Sequence, residues 1–410
     1  MIDAKLLREH PNIIKKAAAD KGVVVDVDHI LNIDTQYREL SQKVQQLRTE
    51  RNQVAKEKNI EKGKELKEKL DKEEHALVAL EQELQDVLYK IPNLAKDDVK
   101  VGKDDSENEV VRTYGEPKKF SFTPKDHVEI GKKLDIIDIE RAGKVSGARF
   151  TYLRREAALL EFALVQLAFD TLIPEGFIPI IPPVLLKTEI MRGLGYAEFG
   201  ADEEIFSIPN DNLLLAGTAE HPIVAMHKDE AFNKKDLPRR YIGFSSAFRR
   251  EAGSYGKDTK GILRVHQFDK VEMVSFVSAE DDDKEHEYLL GIEEKFFQML
   301  DIPYQVVKMC TGDLGFPAAR KYDIEAWVPT QGKYREVTSV STVTDFQSRR
   351  LNIKYQDGNE KKFTHILNGT AFAIGRTLIA ILENYQEEDG SVVIPEVLQK
   401  YVRFDKIQAK

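Results

Sequence analysis

A long, regular repeat of apolar residues between Asp28 and Lys90 most strongly limits how this chain can fold. The apolar residues recur at alternating steps of three and four, the heptad spacing of helices that pair along a seam. One stripe is Ile33, Tyr37, Leu40, Val44, Leu47 and Val54, and the other is Leu66, Leu70, Leu77, Leu80, Leu84 and Val87. The polar stretch from Asn59 to Gly63 is predicted to be the turn between them. We therefore expect an antiparallel two-helix coiled-coil arm at about 28–90, projecting roughly 45 Å.

The composition excludes several classes of protein. The chain has 410 residues, a formal net charge of -9 and one cysteine, Cys310. One cysteine cannot form a disulfide framework or a zinc site built from several cysteines. No apolar run approaches the roughly 18 residues of a membrane span, and the first residues lack the apolar core of a signal peptide. We expect a cytoplasmic protein with no membrane partner, in which any bound nucleic acid meets a local basic surface.

The sequence changes character after Pro92. Residues 96–125 are polar and weakly periodic, which is typical of a linker. In 126–410, short alternating apolar segments are mixed with helical patterns. The pattern predicts helices at 126–139, 155–171, 284–300 and 374–385, and strands at 177–185, 241–248, 266–277, 304–309, 322–329 and 334–341. This arrangement favours an α+β domain with a mostly antiparallel β-sheet flanked by helices.

Neither GxxxxGK[ST] nor GxGxxG at a strand-to-helix turn occurs, so side chains must hold any nucleotide that binds. The best candidates lie in residues 244–276, where two strand-like runs flank a basic loop that contains glycines. Period-two alternation groups charged side chains and one ring on one face of these strands. They are Arg249 and Glu251 on the first strand, and His266, Phe268, Lys270 and Glu272 on the second. Such a face suits phosphate and base binding, but an exposed sheet face with ordinary ion pairs fits the same pattern.

Residues 248–272, FRREAGSYGKDTKGILRVHQFDKVE, resemble motif 2 of class II aminoacyl-tRNA synthetases and specifically of the seryl-tRNA synthetase family. NGTAFAIGRTLIAILENYQ, residues 368–386, resembles motif 3 of that family, and 155–183 resembles motif 1, which lies at its dimer interface. GTAEHP, CTGDLGF, KYDIEAWVP and TDFQSRR match further family segments in order. The resemblance covers nearly the whole chain.

The resemblance implies a serine–tRNA ligase that activates L-serine with ATP and transfers the seryl group to the 3' end of tRNA(Ser). A second candidate acceptor is tRNA(Sec). Residues 1–95 would form a tRNA-binding domain that carries the arm, and 126–410 would form a class II catalytic domain. The family also implies a homodimer in which the arm of one subunit presents tRNA to the site of the other.

The resemblance implies that three arginines act in catalysis by binding the phosphates of ATP. Arg249 would bind the α-phosphate, while Arg264 and Arg376 would neutralise the β- and γ-phosphates. Taken alone, Arg376 fits better as a surface residue of a helix whose apolar stripe begins at Ile374.

Further family positions complete the predicted nucleotide and metal sites. Glu251 would accept a hydrogen bond from the adenine amino group and Phe268 would stack on the ring, with Arg250 as a further ATP-binding candidate. Glu336 and Ser339 offer the hard oxygen ligands that suit Mg²⁺, although Glu336 beside a basic residue also fits an ordinary ion pair on a strand.

The resemblance also assigns serine and tRNA. The predicted serine-binding residues are Thr218, Glu220, Arg249, Glu272 and Thr370, with the carboxylates pairing with the ammonium group of the substrate. The predicted tRNA-binding residues on the arm are Arg48, Arg51, Lys56 and Lys64. Basic residues around the arm's tip are interleaved with acidic ones, so their charge alone fits a solvated coiled-coil surface as well.

Several residues depart from the family pattern. Arg250 stands where serine is usual, His221 where valine is common, and Val340 and Thr342 replace a cysteine and an asparagine. Thr370 keeps a hydroxyl but adds a methyl group near the substrate. One methyl group discriminates by only about 1–3 kcal/mol, so threonine is the competitor that serine must exclude.

Two other functions fit parts of the sequence. A synthetase-like paralogue would hand its activated amino acid to a carrier protein or small molecule instead of tRNA, but the retained arm argues against it. A coiled-coil interaction protein on a degenerate synthetase scaffold would have lost the arginines and glutamates that this chain keeps.

Overall fold

The computed structural model describes residues 1–196, 204–252 and 260–408. The chain divides into two compact units, Met1–Leu94 and Ala95–Lys410. No helix in the described ranges is long and apolar enough to cross a membrane.

The first unit is helical. Its helices are α1 (Ala4–Glu9), α2 (Pro11–Asp20), α3 (Val27–Lys56) and α4 (Ile60–Leu88). The apolar stripes of α3 and α4 meet in a buried cluster of Val44, Leu47, Val54, Leu66 and Leu70. Ion pairs flank this seam, with Lys43 Nζ 2.7 Å from Glu73 Oε1 and Arg48 2.8 Å from Glu74 Oε1. The predicted two-helix coiled-coil arm is therefore confirmed, because heptad spacing buries one face of each helix against the other.

The turn of the arm differs in detail from the prediction. Three residues connect α3 to α4, and Lys58 adopts a positive φ of 56°. The side chain of Asn59 accepts a hydrogen bond from Lys62 N at 3.1 Å and so caps α4. Gly63 lies inside the first turn of α4 instead of in the loop. A helix cap and one left-handed residue make the turn, and glycine is not needed for it.

The second unit is built on β-strands. They are β1 (Glu109–Tyr114), β2 (Ile137–Asp138), β3 (Tyr152–Leu153), β4 (Ile178–Ile180), β5 (Leu185–Lys187), β6 (Ser207–Ile208), β7 (Leu213–Leu215), β8 (Ala231–Asn233), β9 (Arg239–Phe248), β10 (Gln267–Val277), β11 (Tyr304–Lys308), β12 (Arg320–Val328), β13 (Lys333–Thr344), β14 (Lys354–Asp357), β15 (Glu360–Phe363), β16 (His365–Ala373), β17 (Val392–Val393) and β18 (Lys406–Ile407). Its helices are α5 (His127–Lys133), α6 (Ile139–Ser146), α7 (Arg155–Leu172), α8 (Thr188–Leu194), α9 (Glu220–Ala225), α10 (Asp282–Met299), α11 (Phe346–Leu351), α12 (Ile374–Asn384) and α13 (Glu396–Val402).

Eight strands form the main sheet in the order β1-β11-β12-β13-β16-β10-β9-β4. Its neighbours pair antiparallel except β4 and β9, which are parallel. Helices α7, α10 and α12 pack against the sheet and share one large buried cluster with it. The predicted α+β class with a mostly antiparallel sheet is therefore confirmed.

The sequence did not predict β16, although this strand lies in the middle of the sheet. Eight of its nine residues are buried, so its sequence HILNGTAFA lacks the alternation that marks a strand with one exposed face. The pairing of β16 with β13 ends at Gly369 and Val340, and its pairing with β10 has an irregularity next to Glu272. These two breaks in the ladder open the sheet where the candidate site lies.

The linker prediction for residues 96–125 is corrected by strand β1. Glu109–Tyr114 pairs with β11 at the sheet edge, with a shift of register between Val110 and Arg112. All six residues of β1 are exposed, which explains why the segment looked like a linker. Lys96 N also donates to Ala319 O at 2.9 Å. This segment is part of the second unit.

The predicted helix at 126–139 is also wrong in part. It is divided into α5, the short strand β2 and the start of α6, and Asp135 between them has a φ of 56°. The left-handed residue ends α5, because an α-helix cannot continue through it. The helices predicted at 155–171, 284–300 and 374–385 correspond to α7, α10 and α12.

The buried seam of the arm leads to a stability prediction. Leu70 is 1% exposed and packs in the seam, whereas Val78 on the same helix is 65% exposed. Leu70→Ala should lower the opening free energy of amides in α3 and α4 by about 2–5 kcal/mol, because it leaves a cavity between the helices. Native-state hydrogen exchange measures this, with Val78→Ala as the control. Equal effects of the two variants would contradict a packed seam.

Candidate active site

Two adjoining cavities lie at the opening in the sheet. The arginine cavity is lined by Arg249, Arg264 and Arg376. The acidic cavity, of about 460 Å³, is lined by Thr218, Glu220 and Glu272. Both are bordered by Arg249, Lys270, Glu336 and Ser339. A ligand in one cavity can therefore reach a ligand in the other.

The three arginines come from distant parts of the chain. Arg249 directly follows β9, Arg264 precedes β10, and Arg376 lies in the first turn of α12. The guanidinium of Arg249 lies over the ring of Phe268 at 5.5 Å, and its Nε donates to Gly217 O at 3.1 Å. The fold thus brings together three cations and one aromatic ring, the side-chain types that bind phosphates and a base.

Carboxylates hold the other two guanidinium groups. Arg264 Nη1 lies 3.2 Å from Glu251 Oε2, and Arg376 Nη1 lies 2.9 Å from Glu336 Oε1. The backbone at Glu251 has a φ of 52°, and Arg149 donates to its carbonyl oxygen at 2.9 Å. These pairs fix the arginine side chains before any ligand arrives.

Glu336 lines the cavity with its side chain 40% exposed. Burial disfavours its charged form, but the positive charges of Arg376 and Lys321 outweigh burial and lower the pKa of Glu336 to about 2. Ser339 borders both cavities on the same strand. Glu336 and Ser339 together provide one carboxylate and one hydroxyl. Among the described residues, no group of three or more His, Cys, Asp or Glu side chains is arranged to hold a metal ion. The site suits an ion whose remaining ligands come from phosphate and water.

The acidic cavity contains two buried carboxyl groups. Burial raises the pKa of Glu220 to about 7, although Gln347 Nε2 donates to it at 3.0 Å. Burial likewise raises the pKa of Glu272, whose Oε2 lies 2.5 Å from Lys270 Nζ. The hydroxyl of Thr370 donates to Glu272 at 3.4 Å. A positively charged group entering this cavity would restore the charged form of both carboxyls.

Alternation predicted three of the four residues grouped on the second strand and neither of the two grouped on the first. Phe268, Lys270 and Glu272 on β10 all face the cavities. The grouping of Arg249 with Glu251 on the first strand is wrong, because β9 ends at Phe248 and Glu251 has a left-handed backbone. The loop after the strand, not the pleat, brings Arg249 and Glu251 to the cavity. His266 precedes β10 and instead places its Nδ1 3.0 Å from Arg249 O.

Arg250 lines neither cavity, unlike its neighbour Arg249. Its Nε donates to Ile205 O at 3.1 Å, and its guanidinium lies over the ring of Phe206 at 5.1 Å. Arg250 N also donates to Glu204 O at 2.9 Å. The geometry gives Arg250 a role in holding the segment around Ile205, and its predicted contact with ATP gains no support.

The other departures from the family pattern lie in different places. His221 is buried at the wall of the acidic cavity, where its ring packs 4.5 Å from that of Tyr196 and burial lowers its pKa to about 3. Val340 and Thr342 are fully buried, and Thr342 Oγ1 donates to Asp282 at 2.7 Å. Only His221 among these three borders a cavity.

Two lysines at the site were not assigned a role from the sequence. Lys270 is paired with Glu272, and Lys321 Nζ lies 3.2 Å from Asp323 Oδ1. Burial raises the pKa of Asp323 to about 7. In the sequence, both lysines could be recognised as basic residues at inward positions of largely buried strands. Unpaired charges are rare at such positions.

The predicted tRNA-binding residues lie on the surface of the arm. Arg48, Arg51, Lys56 and Lys64 are all exposed on α3 and α4. Arg48 is partly neutralised by its pair with Glu74. Their side chains are accessible to a large polyanion.

Comparisons with known proteins agree with this geometry. Residues 1–95 match the family described as "Seryl-tRNA synthetase N-terminal domain", and residues 205–385 match "tRNA synthetase class II core domain (G, H, P, S and T)". A serine–tRNA ligase of Dictyoglomus turgidum is 45% identical over 424 residues, covering 100% of both chains.

Solved structures resemble the whole chain as well. The seryl-tRNA synthetase of Pyrococcus horikoshii, complexed with ATP, is 39% identical with a TM-score of 0.93 and covers 100% of both chains. The cytoplasmic serine–tRNA ligase of Naegleria fowleri, in complex with AMP, is 34% identical with a TM-score of 0.88, covering 100% of this chain and 99% of the other. Since the likeness extends over both units at these identities, the chain belongs to the seryl-tRNA synthetase family.

Proposed function

We propose that this chain activates L-serine with ATP and transfers the seryl group to the 3' end of tRNA(Ser). The observation that carries the proposal is the convergence of Arg249, Arg264 and Arg376 with Phe268 on one cavity beside two buried carboxyl groups. Three cations suit a triphosphate, and two carboxyls suit an ammonium group. Membership of the family and the full-length relatives support the same reaction.

The arginine cavity is the proposed ATP site. Arg249 binds the α-phosphate, and Arg264 and Arg376 bind the β- and γ-phosphates. Adenine stacks on Phe268, with its amino group donating to Glu251. The pairs of Arg264 with Glu251 and of Arg376 with Glu336 leave the guanidinium groups with further donors for phosphate, since each has five N–H groups.

Mg²⁺ is proposed at Glu336 and Ser339. The lowered pKa of Glu336 keeps a carboxylate available at neutral pH, and Ser339 adds a hydroxyl oxygen. Mg²⁺ commonly takes one or two protein ligands and completes its shell with phosphate oxygens and water. The ion supplies charge neutralisation of the triphosphate when it is bound.

The acidic cavity is the proposed serine site. Glu220 and Glu272 pair with the ammonium group, Thr218 adds a hydrogen bond, and Thr370 contacts the side-chain hydroxyl. The Thr370 hydroxyl donates to Glu272, so the residue that contacts the hydroxyl of serine is hydrogen-bonded to a residue that pairs with its ammonium group. The extra methyl group of threonine must be excluded by the fit of this cavity.

The reaction needs no protein nucleophile. An oxygen of the serine carboxylate attacks the α-phosphorus, the bond between the α-phosphorus and the bridging oxygen breaks, and pyrophosphate leaves. The 3'-OH of tRNA then attacks the carbonyl carbon of the seryl-adenylate, and AMP leaves. Arg249 borders both cavities, so it holds the α-phosphate where the serine carboxylate can reach it. Catalysis arises from alignment and charge neutralisation.

Substitution of Arg249 tests this assignment. Arg249→Ala should reduce serine-dependent ATP–pyrophosphate exchange by about a hundredfold or more, because it removes the cation at the reacting phosphorus. Arg335→Ala is the matched control, since Arg335 borders neither cavity and donates to Gln331 at 3.1 Å. An unchanged exchange rate in a folded Arg249→Ala variant would remove Arg249 from its assigned role.

The arm is proposed to bind tRNA through Arg48, Arg51, Lys56 and Lys64. Contacts with the phosphate backbone and with the shape of the tRNA would dominate. The match of residues 1–95 to the family's N-terminal domain supports this role. It also disfavours the alternative of a paralogue with a non-tRNA acceptor.

Removing the outer arm separates the two half-reactions. Deletion of residues 45–82 should leave ATP–pyrophosphate exchange with serine unchanged but abolish most charging of tRNA(Ser). Charging by the intact protein should weaken steeply with salt, because phosphate contacts release counterions. Charging of tRNA(Sec) is measured in the same assay. Equal charging by the shortened and intact proteins would refute the role of the arm.

A homodimer is proposed through α7 and β4. Leu159, Phe162 and Ile173 are 50%, 65% and 46% exposed and lie on one face of α7 and its end, while Ile181 beyond the edge strand β4 is 80% exposed. A row of large exposed apolar side chains marks a surface that pairs with another protein. The occupant is a second copy of the chain, as the resemblance of 155–183 to motif 1 implies.

A charge on this face tests the dimer. Phe162→Glu should convert dimers to monomers at micromolar concentration, because it buries an unpaired carboxylate in an apolar interface. Sedimentation velocity measures the change, with Val24→Glu as a control at a 92% exposed residue of the first unit. Monomers of the unaltered chain, or dimers of Phe162→Glu, would contradict the proposed interface.

A cytoplasmic location is proposed because it suits the state of Cys310. This thiol is free and buried, and its Sγ donates to Asp104 O at 3.3 Å. A reducing compartment keeps such a thiol unmodified.

A further inference from the structure

Glu293 is a buried carboxyl group that the proposed reaction does not use. It lies on α10, behind the main sheet, and its side chain is 0% exposed. Thr338 Oγ1 donates to Glu293 Oε2 at 2.8 Å. Within the described part of the chain, Oε1 has no partner at ordinary hydrogen-bond distance, and the charged groups that most affect Glu293 are Glu272 and Asp323.

Burial favours the uncharged form of this carboxyl. Glu272 and Asp323 disfavour a charge on Glu293 as well, since like charges repel each other in a buried environment. Burial raises the pKa of Glu293 well above its ordinary value, while the Thr338 hydroxyl and the Thr370 N–H offset only part of this. Glu293 therefore acts through its shape and hydrogen bonding.

The carboxyl lies where the ladder between β13 and β16 ends. The last paired residues are Val340 and Gly369, so Thr338 and Thr370 lie just beyond the ladder. A Cβ placed on Gly369 would be 3.0 Å from Glu293 Oε1. Glu293 thus fills the space behind the split, with a hydrogen bond to β13 and close contact with β16.

This contact leads directly to the proposed serine site. Neighbouring residues of a strand face opposite sides, so Gly369 faces Glu293 while Thr370 faces the opening in front of the sheet. The hydroxyl of Thr370 donates to Glu272. A movement of the strand at Gly369 would therefore move Thr370 relative to Glu272.

We propose that Glu293 is a positioning residue that sets the location of Thr370 and so tunes the affinity for serine. The inference rests on the proposed function, in which Thr370 and Glu272 bind the amino acid. Substitution of Glu293 is expected to change the affinity for serine and not the affinity for ATP, which binds in the arginine cavity.

Two substitutions of Glu293 test the proposal in the full chain. Glu293→Ala removes the support behind Gly369 and should raise the KM for serine in ATP–pyrophosphate exchange about tenfold, with the KM for ATP changed less than about twofold. Glu293→Gln keeps the shape and cannot carry a charge, so it should keep the serine KM within about twofold of the unaltered enzyme. Glu287→Gln, at an exposed residue of the same helix, is the matched control.

A substitution on the facing strand gives a second measurement. Gly369→Ala places a methyl group against Glu293 and should also raise the KM for serine, while thermal unfolding reports whether the variant folds. Glu293→Ala should relieve part of this effect in the double variant, because it removes the nearest atom that the methyl group would meet. Met273 Cε at 3.2 Å and Val340 Cγ2 at 3.3 Å would remain. Independent, additive effects of the two substitutions would overturn the proposed contact.

The outcomes separate this inference from the proposed function. Equal serine KM values for Glu293→Ala and the unaltered enzyme would overturn the positioning role alone. A serine KM in Glu293→Gln as high as in Glu293→Ala would also overturn it, since the carboxyl would then act through charge. Failure of the unaltered enzyme to exchange pyrophosphate with serine would instead overturn the proposed function.

Discussion

Ion pairs between arginine and glutamate hold the arginine cavity in shape. Without partners, guanidinium groups on one cavity would repel each other and turn toward solvent, since like charges a few ångströms apart disfavour the site. Arg264 pairs with Glu251 and Arg376 with Glu336, while Arg249 is held by a backbone carbonyl and a ring. These contacts fix the positions of the three cationic groups in the empty protein, so an anionic ligand would require little reorganisation to bind.

The acidic half of the site follows a different principle. Glu220 and Glu272 are buried, and burial raises the pKa of each although Lys270 pairs with Glu272. Buried carboxyls are costly for folding, and an ammonium group that entered the cavity would stabilise their charged forms. Glu293 behind the sheet is fully buried, and burial raises its pKa well above the ordinary value.

How far the sequence predicts the structure depends on which faces are exposed. Heptad spacing predicted the arm, because each helix of a solvated hairpin has one buried stripe. Central β16 and edge β1 were not predicted, since one is buried on both faces and the other exposed on both, so neither alternates. In the site, the motif resemblance selected the three arginines that the fold brings together. It named Arg250 as a further ATP-binding candidate, and the structure pairs the Arg250 side chain with Ile205 O and the ring of Phe206.

The irregular pairing of β1 affects whether a strand of another molecule can extend the main sheet at this edge. An open edge strand offers unpaired N–H and C=O groups on which a sheet of another molecule can continue. The shift of register between Val110 and Arg112 interrupts that row of groups, and Arg112 is drawn toward Glu294 at 3.0 Å. The register shift and the charged side chain therefore disfavour pairing of this edge with a strand of another molecule.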